Sequence, residues 1–251
     1  MKAIITDLDR TLLRTDKTLS PYTIDILRTC HRAGILVMAA TARPERNVTE
    51  YHEQIHFDAM TVTNGAIILL PNCEIINGLL KESAEKILTG ICEHPDIVLS
   101  VETSSGFYAS EDIPSWEPII YNDFPSLPTD VEVYKILVSS KHDSIFSTVE
   151  VSLTEDSYHT VAGGNLIQIM SRRATKWNGI KAMLKAFDVS PEETVYFGDD
   201  NDDIEAIRRC GTGVAVANAI EPVRAAADAI TESNDEDGVA RYILRYILNE
   251  K

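Results

Sequence analysis

The sequence predicts an α/β fold in which a doubly wound parallel sheet is interrupted by an inserted α+β domain. Three observations carry that expectation. Short, near-continuous apolar runs alternate with helix signals at both ends of the chain, the pattern of parallel strands covered on both faces. Those runs end in clusters of polar residues. Between the two halves, residues 79–171 have a different texture, richer in proline and in short candidate strands.

Residues 2–6 form the first predicted strand, ended by Asp7-Leu8-Asp9-Arg10-Thr11. Ser20-Pro21 opens a helix, because a serine hydroxyl caps free amides and proline suits the first helical position. Ile24, Leu27 and Cys30 follow at helical spacing, and Gly34 supplies a stop. Residues 35–40 make a second buried strand that ends at Thr41-Ala42-Arg43-Pro44, with a further helix expected from Pro44. Residues 60–63 make a third, ending at Asn64-Gly65. In the middle stretch, Pro95, Pro114, Pro118, Pro125 and Pro128 fall among candidate strands at 97–101, 135–139 and 166–170 and candidate helices at 83–93 and 144–153. The first pattern then resumes. A helix spans 176–187, and Ser190-Pro191-Glu192-Glu193 is a second start signal or a tight turn. A strand over 194–197 ends at Gly198-Asp199-Asp200-Asn201-Asp202-Asp203, a strand over 213–217 ends at Asn218, and a helix over 238–248 closes the chain. The predicted division is a core of residues 1–78 and 172–251, with 79–171 inserted.

Of the 251 residues, 44% are hydrophobic and 25% charged, which supports a sizeable core. A net charge of −16 argues against nucleic acid or an anionic membrane as partner, because Lys and Arg on phosphates carry nucleic-acid affinity. The same charge requires that an anionic substrate be drawn in by a local positive site. Cys30, Cys73, Cys92 and Cys210 form neither a CxxC pair nor a disulfide framework, which fits reduced thiols in the cytoplasm. The apolar stretch before Asp7 is too short for a signal segment, and no run approaches the length that spans a bilayer. The expectation is a cytoplasmic monomer or homodimer.

Asp7, Thr41, Asn64, Asp199 and Asn218 each follow the C-terminal end of an apolar strand within a residue or two. That is the edge at which open α/β sheets bind ligands. One polar cluster there is ordinary loop composition, whereas five on one edge make a candidate site. In extended backbone, Asp7 and Asp9 point the same way, roughly 6–7 Å apart. Asp199, Asp200, Asp202 and Asp203 join them if the two strands are neighbours. Unit charges 4 Å apart repel by about 4 kcal/mol at an effective dielectric near 20, so such carboxylates take up protons or bind a cation. Oxygen ligands with no His or Cys nearby favour Mg²⁺ over zinc. Helix capping also accounts for Asp202, Asp203 and Glu205, but less well for Asp7 and Asp9, which end a buried strand, and the metal reading is preferred. Two chemistries remain: a receiver whose Asp is phosphorylated as a signal, and a hydrolase in which the aspartyl phosphate is transient. Asp9 favours the hydrolase, because an acid two residues after the nucleophile can protonate the leaving oxygen and then deprotonate water.

Asp7-Leu8-Asp9-Arg10-Thr11-Leu12, Thr41-Ala42-Arg43-Pro44, Lys176 and Gly198-Asp199-Asp200-Asn201-Asp202-Asp203 resemble, in order and spacing, the four motifs of the haloacid dehalogenase superfamily. Asn64-Gly65-Ala66, residues 214–218 and Ser233-Asn234-Asp235-Glu236-Asp237-Gly238 narrow the resemblance to its Cof-like phosphatase branch. The resemblance implies a Rossmann-like core with an inserted α+β cap that excludes water and selects the leaving group. It implies Mg²⁺-dependent hydrolysis of a small phosphorylated metabolite, commonly a sugar phosphate, through an aspartyl phosphate. By position, Asp7 is then the nucleophile and a metal ligand. Asp9 is the general acid/base with its backbone carbonyl on the metal, Thr41 donates to the phosphoryl group, and Lys176 neutralises charge on Asp7 and the phosphate. Asp199 is the second carboxylate ligand, and Asp203 holds the metal indirectly. Asn64, Gly65 and Asn218 line the phosphate or leaving-group side, and Arg43 either clamps phosphate or pairs with a nearby acid.

Three positions depart from the pattern. Arg10 and Ala42 replace glycines, and Asp202 replaces an asparagine. Arg10 is expected to adopt dihedrals open to a non-glycine residue and to add positive charge at the entrance. Asp202 is expected to weaken phosphate binding or to tighten Mg²⁺. The six histidines are read as surface or packing residues, while Tyr108, Trp116 and Tyr121 face the substrate or belong to a core. Phosphomutase-type transfer is the enzymatic alternative, and a non-catalytic phospho-ligand binder or receiver-like switch is the alternative from another class.

Overall fold

A computed structural model describes residues 1–94, 96–113, 116–127, 131–162 and 166–248. Pro95, Pro114 and Pro128 of the proline-rich stretch lie outside the described residues. The chain forms two compact units, Met1–Ile75 with Thr175–Lys251, and Ile76–Ala174. Its first segment runs β1 (Ala3–Thr6), α1 (Pro21–Arg32), β2 (Leu36–Ala40), α2 (Thr49–Ile55), β3 (Ala59–Val62), β4 (Ile67–Leu70) and β5 (Cys73–Ile76). The inserted segment supplies α3 (Lys81–Cys92), β6 (Ile97–Thr103), β7 (Gly106–Ala109), β8 (Ile119–Ile120), β9 (Val133–Ser140), α4 (Ser144–Ser152), β10 (Ser157–Ala162) and β11 (Leu166–Ser171). The last segment runs α5 (Lys176–Ala186), β12 (Thr194–Gly198), α6 (Ile204–Arg209), β13 (Thr212–Val216), α7 (Glu221–Ala226), β14 (Ala229–Thr231) and α8 (Gly238–Tyr242). Beyond α8 the helix continues in wider turns over Ile243–Leu248.

The core sheet has the order β14-β13-β12-β1-β2-β3-β4-β5. It is parallel from β14 to β3, while β4 runs antiparallel to β3. The sheet is therefore mixed at one edge rather than wholly parallel. Ile5 of β1 lies opposite Tyr196 of β12 and Met38 of β2, and all three are fully buried. Burial on both faces is why these strands read as unbroken apolar runs. Their common direction places Asp7, Thr41, Thr63 and Asp199 at one edge.

The helix signals act as expected at α1, where Ser20 Oγ accepts the Thr23 amide at 3.0 Å and Pro21 opens the first turn. They fail at Pro44. A single tight turn over Glu45–Asn47 comes first, and the α-helix starts only at Thr49. Asn47 and the β-branched Val48, both poor in helix interiors, mark the break. Ser190-Pro191 proves to be the tight turn, Pro191–Glu193, leading straight into β12.

The inserted unit is a second sheet, β10-β11-β9-β6-β7-β8. Its pairs are antiparallel apart from β7 with β8. Leu99 pairs with Val138 and Val101 with Ile136, while Ile167 and Ile169 stand opposite Val138 and Ile136 on the other side. The alternate residues of three strands thus share one face, buried with Ile87, Leu88 and Ile91 of α3 and Val149 of α4. Tyr108 and Tyr121 pack against this core, and the Trp116 ring lies 5.4 Å from Phe107. Cys73 is exposed, in contrast to buried Cys30 and Cys210. No helix among the described residues is long and apolar enough to cross a membrane.

Candidate active site

The edge after β1 is fixed by its neighbour. The Asp7 amide donates to the Phe197 carbonyl at 2.9 Å, which extends the β1–β12 ladder one residue past the strand. The chain then folds into a tight turn over Leu8–Leu12, closed by the Leu13 amide on the Leu8 carbonyl at 2.8 Å. Within it Arg10 sits at φ 58°, ψ 8°, the left-handed region that glycine enters freely and other residues enter at roughly 1–2 kcal/mol. The departure at position 10 is therefore carried as backbone strain. It is offset by a clasp: Asn218 Nδ2 donates to the Arg10 carbonyl at 2.7 Å, and Asn218 Oδ1 accepts the Asn234 amide at 2.9 Å. The Arg10 guanidinium lies 3.7 Å from Asp199 Oδ2.

Asp203 is fully buried below the end of β12. Its Oδ2 accepts the amides of Asp199 and Asp200 at 2.9 and 3.1 Å, and its Oδ1 accepts the Tyr196 hydroxyl at 2.5 Å. Gly198 is needed for that packing, because a Cβ there would lie 2.5 Å from the Asp203 Cβ. Thr11 Oγ1 donates to Asp199 Oδ1 at 3.1 Å. Asp7, Asp199 and Asp203 thus each offer a carboxylate oxygen, all within 4.8 Å of one another. Lys176, buried in the first turn of α5, places Nζ 2.8 Å from Asp7 Oδ1, 2.7 Å from Asp203 Oδ1 and 3.3 Å from Asp202 Oδ2.

Thr41 is buried after β2, and its Oγ1 accepts the Arg43 amide at 3.2 Å, so its own O–H points elsewhere to donate. The loop after β3 is held against it: the Asn64 amide donates to the Thr41 carbonyl at 3.0 Å and the Thr63 amide to the Arg43 carbonyl at 2.8 Å. Thr63, Asn64 and Gly65 have φ of 50°, 56° and 100°. Three successive left-handed residues, one of them β-branched, store strain of the kind that clusters at functional sites. At Gly65 a Cβ would fall 2.2 Å from the Thr175 carbonyl oxygen, so glycine lets this loop lie against the N-cap of the helix that carries Lys176. Asn64 Nδ2 donates to Asp202 Oδ2 at 2.8 Å. The buried Thr63 hydroxyl has no hydrogen-bond partner among the described residues.

Asp9 stands outside the carboxylate group. The Arg43 fork donates to its two oxygens at 2.6 and 2.8 Å, and Lys17 adds a third contact at 2.7 Å. Of the two roles open to Arg43, the structure holds the acid pair. Burial works to raise the Asp9 pKa, but the hydrogen bonds from Arg43 and Lys17 outweigh it and bring it to about 2. The other aspartates behave oppositely. Burial pushes Asp7 well up, reinforced by Asp203, Asp199 and Asp202 against the opposing charge of Lys176. Burial, with Asp203 next, raises Asp199 to about 7. Burial also disfavours the Lys176 charge, yet Asp202, Asp203 and Asp7 together hold its pKa well above the usual value.

Asp7 and Asp199 fit a hard divalent cation: oxygen donors only, with pKa values raised first by burial and then by acidic neighbours whose charge such a cation would offset. Asp203 fits the indirect role, because both of its oxygens already accept hydrogen bonds. A pH dependence follows. Asp199 has its folded pKa above the ordinary aspartate value, so its contribution to stability is full below about 4 and is lost as pH rises through about 7. Asp9 has the opposite sign, and its contribution is lost only as pH falls towards about 2. In chelator, the thermal midpoint is expected to decline from about pH 4 to pH 7, and less steeply for Asp199→Asn. Equal slopes for the two proteins would refute this account of Asp199.

Tyr196, Lys17, Thr11 and Thr63 join the site beyond the residues expected from sequence. For Tyr196 a signal existed, because a tyrosine in a buried strand needs a partner for its hydroxyl. Lys17 carries none.

The haloacid dehalogenase-like hydrolase family matches residues 4–243. The 5-amino-6-(5-phospho-D-ribitylamino)uracil phosphatase YitU of Bacillus subtilis is 27% identical, over 97% of this chain and 96% of its own length. A haloacid dehalogenase-like hydrolase from Bacillus subtilis has a similar solved structure, with TM-score 0.83, 25% identity, and 98% and 100% of the two chains covered. The structure of a sugar phosphatase of subclass IIB in the same superfamily shares the fold at TM-score 0.83, with 22% identity and 98% of this chain and 99% of that one covered.

Proposed function

The chain belongs to the haloacid dehalogenase-like hydrolases and is an enzyme of the phosphatase kind, and from that premise we propose that it hydrolyses small phosphomonoesters with Asp7 as nucleophile. The observation that carries this reading is the buried Asp7 carboxylate, with Lys176 2.8 Å from one oxygen and Asp199 and Asp203 beside it.

Asp7 attacks phosphorus, the bond from phosphorus to the leaving oxygen breaks, and an aspartyl phosphate forms. Water then attacks the same phosphorus, the bond to Asp7 breaks, and inorganic phosphate leaves. Asp9 gives the leaving oxygen its proton and recovers one from the water. Held by Arg43 and Lys17 it is a carboxylate, ready for the second half, and those contacts must loosen before it carries a proton. Lys176 and the Thr41 hydroxyl offset charge on the phosphoryl oxygens, Asn64 and Gly65 shape that side of the site, and Asn218 steadies the Asp7–Asp9 loop through Arg10. Mg²⁺, held by Asp7, Asp199 and the Asp9 carbonyl with Asp203 behind them, supplies further electrostatic stabilisation when bound.

We assign substrate selection to the inserted segment, place the enzyme in the cytoplasm in keeping with its free cysteines, and take a sugar phosphate as the substrate class. The phosphorylated ribitylaminouracil of the YitU relative belongs in the same trial set. The test is phosphate release from p-nitrophenyl phosphate and a panel of phosphorylated metabolites, with Mg²⁺ or with EDTA. Release that needs Mg²⁺ and returns when it is restored is expected. No release from any of them would move the reading to a phosphomutase or a binder.

A further inference from the structure

Asp202 takes no part in the reaction just described, and an asparagine stands there in the pattern that the chain resembles. Its surroundings are specific. Asp202 Oδ2 accepts Asn64 Nδ2 at 2.8 Å and lies 3.3 Å from Lys176 Nζ. One carboxylate oxygen therefore gathers an amide from the loop after β3 and the ammonium at the start of α5. Lys176 is assigned above to the phosphoryl oxygens, and Asn64 to the side of the site that receives them. Lys176 is almost wholly buried, whereas the Asp202 side chain is 31% exposed. Asp202, in the turn over Asn201–Asp203, thus reaches a buried donor from a position partly open to solvent. An asparagine could offer the same position an N–H; an ionised aspartate offers only acceptors.

We propose that Asp202 is a built-in competitor for the phosphoryl group, an anion that holds Lys176 and Asn64 in the free enzyme and must yield them when substrate or product phosphate binds. The inference rests on the reading of Lys176 as a phosphoryl ligand and of Asn64 as part of the side that receives the phosphoryl oxygens. Like charges a few ångströms apart repel appreciably even at an effective dielectric of about 20. Asp202 therefore weakens the hold on inorganic phosphate and speeds release of the product. Asp202 sets affinity for oxyanions, whereas Asp7 and Asp9 carry the bond changes.

The experiment titrates inorganic phosphate, with Mg²⁺ present, into wild type, Asp202→Asn and Asp202→Ser by calorimetry. It is paired with the phosphate inhibition constant on p-nitrophenyl phosphate and the Mg²⁺ concentration for half-activation. Both variants are expected to bind phosphate about tenfold or more tightly, about 1.4 kcal/mol per tenfold, with the half-activating Mg²⁺ concentration unmoved. Serine removes the charge without supplying an amide, so tightening in asparagine alone would mean an added donor and would overturn the proposal. Unchanged phosphate affinity in both, or a change that follows only from altered Mg²⁺ dependence, would also overturn it. If wild type releases no phosphate from any ester, the proposed function fails. The calorimetric comparison then still decides the role of Asp202.

Discussion

Asp7→Asn is expected to fold normally and to lose phosphate release by about four orders of magnitude or more, as loss of a covalent nucleophile does elsewhere. The amide matches the carboxylate in shape but cannot form the acyl phosphate. Its backbone partner, the Phe197 carbonyl at 2.9 Å, is untouched. Lys176 keeps Asp203 at 2.7 Å and Asp202 at 3.3 Å. Because the buried Asp7 carboxylate has its pKa pushed up by burial first and then by its acidic neighbours, replacing it with a neutral group relieves the cluster. The thermal midpoint in chelator is therefore expected to stay level or rise. Turnover of p-nitrophenyl phosphate and thermal unfolding of the same preparation check both halves. A folded mutant that kept a hundredth of the wild-type rate or more would show that the nucleophile lies elsewhere.

Lys176→Met carries the second large effect, and it falls on stability as well as on turnover. The ammonium is the single cation among the described residues that touches Asp7, Asp202 and Asp203 together. Removing one partner of a buried ionic group leaves the rest uncompensated, at about 3–5 kcal/mol. Denaturant unfolding in EDTA at neutral pH is expected to show a loss of that size. Mg²⁺ should restore part of it, and so should acidification, because the abandoned carboxylates can take up protons instead. Hydrolysis is expected to be lost under all these conditions, because Lys176 is the cation that touches Asp7 among the described residues and neither Mg²⁺ nor a proton replaces it there. A variant as stable as wild type in EDTA at neutral pH would mean that the carboxylates do not depend on Lys176.

Much of this was legible in the residues. β1, β2 and β12 are buried on both faces, so their apolar runs could be read without knowing their partners. The carboxylates at their ends could be placed on one edge from strand direction alone. Side-chain choices made across the fold were harder to see. Nothing near Arg43 in the sequence says that its fork would hold Asp9, thirty-four positions away. Thr63 reads as strand because β-branched residues favour extended backbone. Amides held by Arg43 and Thr41 instead turn it left-handed. The antiparallel β4 follows from a signal that serves two purposes: Asn64-Gly65 between apolar runs marks a hairpin turn as well as a site loop. β5, β8 and β14 are short or exposed edge strands, which carry too little pattern to register.

The position of β1 between β2 and β12 also bears on how the protein is made. At a synthesis rate of about 5–20 residues per second, β1 waits roughly 10–40 s on the ribosome before β12 has been added. Until then the strands already made end in a bare edge, with the row of unpaired amides and carbonyls that invites wrong partners. Ile4 and Ile5 await the cover that buries them in the finished protein. The nucleophile is thus translated well before Lys176 and Asp199. A nascent chain interrupted before β12 would carry Asp7 with neither its second carboxylate nor a neighbour on the β12 side, so catalytic competence waits on β12.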